Sequence, residues 1–208
     1  MKPFLAVLCL SPTLLFANPY ERDSFPILAN VINVANNDVL NIRIDPDPSS
    51  EILGVLPPDA SDIELVDHDP SGRWGLVNSN EVSGWVRLTY LHAAKQAKWH
   101  AFQTPLRCGG TEPFWSLTIN QTATKAVFED FHDPARPYGI TWTSDIHARL
   151  GGTMGLGAGD TAAGFSAVIN NEMCNDGMSD REYALQLHLF IHNNGHTAGY
   201  EGCCSLAP

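Results

Sequence analysis

Short bursts of aliphatic and β-branched residues, separated by polar turn chemistry, run through most of this chain. In the first half the bursts are Val31 and Val34, then Val39-Leu40, Ile42 and Ile44, then Ile52-Leu53 and Val55-Leu56. Between them lie Asn36-Asn37-Asp38, Asp45-Pro46-Asp47-Pro48 and Pro57-Pro58-Asp59, residue types that set turns through fixed φ or side-chain hydrogen bonds. Ile63-Glu64-Leu65-Val66 follows. An Asp69-Pro70-Ser71-Gly72 turn then leads to Trp74-Gly75-Leu76-Val77, and Gly84-Trp85-Val86 comes last. Five short strands at this spacing describe a small barrel over residues 29–92. Residues 93–107, AAKQAKWHAFQTPLR, hold three basic residues and no acidic one. They read as a joint with a short helix ended before Pro105, with Trp99 and Phe102 on one face.

The second half, 108–208, carries further strand patterns at Trp115–Ile119, Ala126–Phe128, Ile140–Trp142 and Ser166–Ile169. The clearest is Ala184–His192, with Leu185, Leu187, Leu189 and Ile191 on one face and Gln186, His188, Phe190 and His192 on the other. The fold class expected is mostly β: a small barrel followed by a second antiparallel β-barrel-like domain.

The N-terminal set resembles the bacterial SH3-like (SH3b) domain. The matching residues are Leu40-Asn41-Ile42-Arg43 with a proline-bearing turn, Ile52-Leu53-Gly54-Val55-Leu56, Arg73-Trp74-Gly75-Leu76-Val77, Gly84-Trp85-Val86 and Tyr90-Leu91. The resemblance implies a small SH3-like barrel that binds cell-wall peptides, glycans or periplasmic proteins and does not catalyse. Arg43, Trp74 and Tyr90 are the candidate ligand-binding residues. Of the aromatic side chains, Trp85 is assigned to the core.

Composition narrows the partners. Twelve Lys+Arg against 23 Asp+Glu give a net charge of −11, which argues against nucleic acid and anionic membrane surfaces. Residues 1–17 pair Lys2 with a mostly apolar run to Ala17, the pattern of a cleavable export signal cut near Ala17–Asn18. That run is too short to anchor the chain across a bilayer, and no later stretch is long enough. Export to the periplasm or medium is expected, hence an oxidising compartment. Cys9 leaves with the signal. Cys108, Cys174, Cys203 and Cys204 remain, enough for two disulfides. Adjacent residues on a strand face opposite ways, so Cys203 and Cys204 each take one of the two distant cysteines. Two connectivities remain on these grounds. No metal or cofactor is expected, since C-x-x-C spacing is missing and the thiols are better used in bridges.

Three clusters stand out in the second half: Cys108-Gly109-Gly110-Thr111-Glu112-Pro113-Phe114-Trp115, the run Cys174 to Tyr183, and Gly202-Cys203-Cys204. Together they resemble an uncharacterised periplasmic family marked by GTEPFW, C-x-DGMSD-x-x-Y and a terminal GCC, itself weakly similar to META/HslJ-like β-barrel domains. Members without the cysteine before GTEPFW end in a single Gly-Cys that aligns with Gly202-Cys203. The resemblance therefore implies Cys174–Cys203, leaving Cys108 to Cys204.

Glu112, Asp176, Asp180 and Arg181 are the polar candidates. Glu112 and Asp176 have the chemistry of a general acid/base pair. The simpler reading has them tie loops together: Asp176 precedes Gly177 at a turn, Ser179 or Asp180 caps it, and Arg181 bridges to Glu112. His188, His192 and His196 sit four apart, but on a strand that places them about 13 Å from each other, too far for one ion. Asn193-Asn194-Gly195 reads as a hairpin turn. The run from Gly151 to Gly159 contains five glycines and lacks the Gly-Lys-Ser/Thr of a phosphate loop, so it reads as a mobile loop between strands. The expected function is that of an exported, non-enzymatic envelope protein. A small-molecule carrier using the barrel interior and a hydrolase using Glu112 and Asp176 are the alternatives.

Overall fold

The structure, a computed structural model, describes residues 25–94, 98–131, 135–147 and 149–207. The expected export signal with its cleavage point, and part of the joint, lie outside the described residues.

Seven strands form the N-terminal sheet: β1 (Ile27–Val31), β2 (Leu40–Arg43), β3 (Ile52–Leu56), β4 (Ile63–His68), β5 (Trp74–Ser79), β6 (Val82–Arg87) and β7 (Leu91–Ala93). Their order is β3-β2-β6-β5-β4-β1-β7. The pattern predicted five strands. The two it missed are the outermost in sequence, β1 and β7, which pair with each other: β1 is buried at four of its five positions and so shows no alternation, and β7 is only three residues long. Asp69 makes the β4–β5 turn. It accepts the backbone N–H groups of Ser71, Arg73 and Trp74 and the Ser71 hydroxyl. Burial works against its charge, but these hydrogen bonds together outweigh that and hold the carboxyl below its ordinary range.

The C-terminal half closes. Its eight barrel strands are β8 (Leu106–Thr111), β9 (Phe114–Ile119), β10 (Lys125–Asp130), β11 (Arg136–Ile146), β12 (Arg149–Gly159), β13 (Ala163–Asn170), β16 (Leu185–Asn193) and β17 (His196–Leu206). Each pairs antiparallel with the next, and β17 returns to β8, so no edge is left. Between β13 and β16 a small two-stranded ribbon, β14 (Cys174–Asn175) and β15 (Glu182–Tyr183), leaves the wall. Alternate residues of every barrel strand point inward, among them Leu106, Leu117, Phe128, Leu156, Phe165, Leu187 and Leu206, and side chains fill the interior.

The glycine run is a correction. It is the strand β12, with Met154, Leu156 and Ala158 buried on the inner face. Gly155 and Gly157 are on the outer face beneath the Trp142 indole. A Cβ on Gly157 would come within 2.2 Å of Trp142 Nε1. Glycine is used here to seat an aromatic ring against the sheet, not to free the backbone.

The joint is also partly recast. Its helix is a single 3-10 turn, Trp99–Ala101, ended by Phe102 at φ 48°. Trp99 and Phe102 are both buried in the barrel core, as their spacing predicts, and close the end where β8 begins. Leu28 of β1 joins the barrel core, and Ala184 joins the core of the N-terminal sheet. The two halves therefore share apolar surface.

Two disulfides complete the frame, with the pairing that the family resemblance implied: Cys108–Cys204 and Cys174–Cys203. Cys108 and Cys204 are direct partners across the β8–β17 pair. Cys174–Cys203 pins the ribbon to the outside of β17. Such bridges belong to an oxidising, exported location.

Candidate functional site

Arg43 ends β2, Trp74 begins β5, and Tyr90 lies in the 3-10 turn Leu88–Tyr90 after β6. The fold brings all three to one groove of about 420 Å³, together with Asn33, Asp38, Val39, Asn41 and Arg87. β2 and β5 flank β6 in the sheet, so residues 31 apart in sequence meet here. Arg43 donates from Nη1 to the Ser50 carbonyl at 2.6 Å, which ties it to the β2–β3 loop. The Arg87 guanidinium stands 5.0 Å over the Trp74 ring. Trp74 is 2% exposed, so it contributes an edge to the groove and otherwise belongs to the core. Trp85, which the sequence reading assigned to the core, is only partly buried against it. Tyr90, at 38% exposure, and Val39, at 41%, form the open apolar lip.

A second site forms where the halves meet. The loop from Asp176 to Tyr183 folds on itself through the Asp176 carboxylate. It accepts the backbone N–H groups of Met178 (3.0 Å) and Ser179 (2.8 Å), the Ser179 hydroxyl, and the Tyr183 hydroxyl at 3.2 Å. Gly177 holds φ 72°, a conformation open to glycine. Burial works against the charge of Asp176, yet the Ser179, Met178 and Tyr183 hydrogen bonds outweigh it and hold the carboxyl below its ordinary range. Burial pushes the Tyr183 hydroxyl up, so it stays a donor at neutral pH.

The far side of the loop docks on the β5–β6 hairpin. Asp180 N–H donates to the Glu81 carbonyl at 2.9 Å, and Ser83 N–H donates to the Asp180 carbonyl at 3.0 Å. The Ser83 hydroxyl accepts from Glu182 N–H at 2.8 Å, and Asn78 Nδ2 donates to the Glu182 carbonyl at 2.9 Å. Below it, Glu64 of β4 accepts the Leu206 N–H at 2.9 Å. Burial pushes the Glu64 carboxyl up to about 7, although the Leu206 N–H and the nearby Arg181 charge both pull it down. Asn171 Nδ2 donates to the Phe25 carbonyl. The run Cys174 to Tyr183 is thus a clasp between the two halves.

Inside the clasp a cleft of about 280 Å³ opens on the outer wall of β17, β8 and β9. Thr111 and Trp115 of the first cluster, Asp176, Arg181 and Tyr183 of the second, and Cys203 of the third all line it. Sequence reading singled out these clusters without a reason for their coming together; the cleft supplies one.

Glu112 is exposed on the β8–β9 turn and does not line the cleft, while the carboxylate of Asp176 is committed to its own turn. Among the described residues no ion pair joins Arg181 to Glu112. Arg181 instead stacks 5.2 Å over the Tyr183 ring. Asp180 acts through its backbone. His188, His192 and His196 lie on β16 and β17 around the Asn194-Gly195 turn, both at positive φ. His192 bonds to the Asp160 carbonyl at 2.7 Å. Sequence reasoning missed Glu64, Asn78 and Ser83, whose partners are 99 to 142 positions away. No local pattern encodes such partners.

No protein-family model matches the chain, and no curated protein sequence is similar enough to align with it.

Proposed function

We propose that this is an exported, non-enzymatic binding protein of the cell envelope. In this reading the SH3-like N-terminal half takes carboxylate-bearing cell-wall peptides in the groove of Arg43, Trp74 and Tyr90. The observation that carries the reading is the groove itself. In a chain of net charge −11, two arginines, Arg43 and Arg87, line one open concavity beside an exposed tyrosine. Such a site pairs with a ligand that presents carboxylates on a short apolar stem. The SH3b resemblance and the export signal point to the same class, since stem peptides of the wall carry free carboxylates. A carrier reading has less support, because side chains from all eight strands fill the barrel interior.

Co-sedimentation with purified peptidoglycan at physiological salt tests the proposal. The full chain should be retained. Tyr90→Ala, at an exposed position, should keep the fold and lower retention roughly tenfold. Retention of neither protein, or of both equally, would refute it.

A further inference from the structure

The cleft in the clasp has the chemistry of a binding site independent of the groove. Its rim holds two cations, Arg107 on the outer face of β8 and Arg181 on the clasp. The Arg181 Nε–H is buried and makes no hydrogen bond among the described residues. Ser116 and Ser205 add hydroxyls, and Gly109 forms the floor. A Cβ built on Gly109 meets only the Trp115 carbonyl oxygen, at 3.1 Å, within 4 Å. The position therefore faces open space that a side chain would otherwise take.

We infer that this cleft binds a small organic monocarboxylate. Charge sets the class. Asp176 sits in the lining as a fixed anion, so the two arginines leave a net of one positive charge there. A carboxylate balances that charge. A phosphate dianion would bring its second charge against Asp176. Geometry agrees, because the planar guanidinium of an arginine presents paired N–H donors that match the fork of a carboxylate. Size limits the body: about 280 Å³ is at the low end for ligand sites, room for an acid with a small apolar tail against Tyr183 and the Cys174–Cys203 bridge.

The probes are benzoate and propionate, with inorganic phosphate as the competing oxyanion, titrated calorimetrically into the full chain with its disulfides intact. Benzoate or propionate should bind saturably, and phosphate should bind more weakly. Arg181→Gln should weaken binding roughly tenfold. Because Arg181 is part of the clasp, Arg107→Gln on the exposed barrel wall serves as the second variant; it should weaken binding severalfold while the unfolding temperature stays unchanged. Peptidoglycan retention should be unaffected in Arg107→Gln, which separates this site from the groove. No binding of either carboxylate, tighter binding of phosphate, or unchanged affinity in both variants would overturn the inference.

Discussion

Gly157 and Gly202 show how two glycines in one barrel differ in what they permit. At Gly157 an added Cβ meets the Trp142 indole, a side chain 48% exposed that can swing outward. At Gly202 it meets backbone: the Gly109 carbonyl oxygen at 2.1 Å and its carbon at 2.7 Å, with Trp115 at 2.8 Å. Backbone in a closed barrel cannot yield without parting β17 from β8. Gly157→Ala should therefore cost about 1 kcal/mol, and Gly202→Ala about 3 kcal/mol or more. Urea unfolding with the disulfides intact measures both. Equal losses would mean that the β17–β8 seam gives way as easily as an exposed side chain.

At the level of elements, what the sequence made legible depended on periodicity. β16 alternates cleanly over nine residues, because one of its faces packs the core and the other meets solvent. β12 escaped for the opposite reason. Its outer positions from Gly155 to Gly159 are all glycines, so the polar half of the alternation is missing there, and a run rich in glycine imitates a loop. The first and last strands of the N-terminal sheet, β1 and β7, are five and three residues long and find each other only after the chain has folded. The candidate residues divide the same way. Arg43, Trp74 and Tyr90 were legible through the resemblance and meet in one groove. Glu112 and Asp176 share carboxylate chemistry, but chemistry alone carries no distance. The clasp was visible as a cluster, while its partners Glu64 and Ser83 lie in the other half and leave no local mark.

Over the whole molecule the two halves are joined by a shared core, by the clasp, and by one half-buried acid, Glu64. Glu64 titrates in the folded protein near 7, against 4.5 for an ordinary glutamate. Between those values the unfolded chain gives up a proton that the folded chain keeps. The contribution is therefore fully present below pH 4.5 and is lost as pH rises through about 7, a change on the order of 3 kcal/mol. Glu64→Gln keeps an acceptor for the Leu206 N–H and removes the titration. Its unfolding temperature should overtake that of the parent as pH rises from 5 to 8. Parallel pH profiles for the two proteins would show that Glu64 does not couple the halves to pH.

Because one chain carries both sites, the groove and the clasp cleft can be read in a single protein. The most direct measurement is an NMR titration of the ¹⁵N-labelled chain with a purified disaccharide stem peptide from peptidoglycan. Saturable shifts are expected in the amides of β2, of Arg87 and of Tyr90, with the barrel unmoved. Shifts confined to Gly109, Arg181 and their neighbours, or none at all, would contradict the assignment of the groove as the cell-wall site.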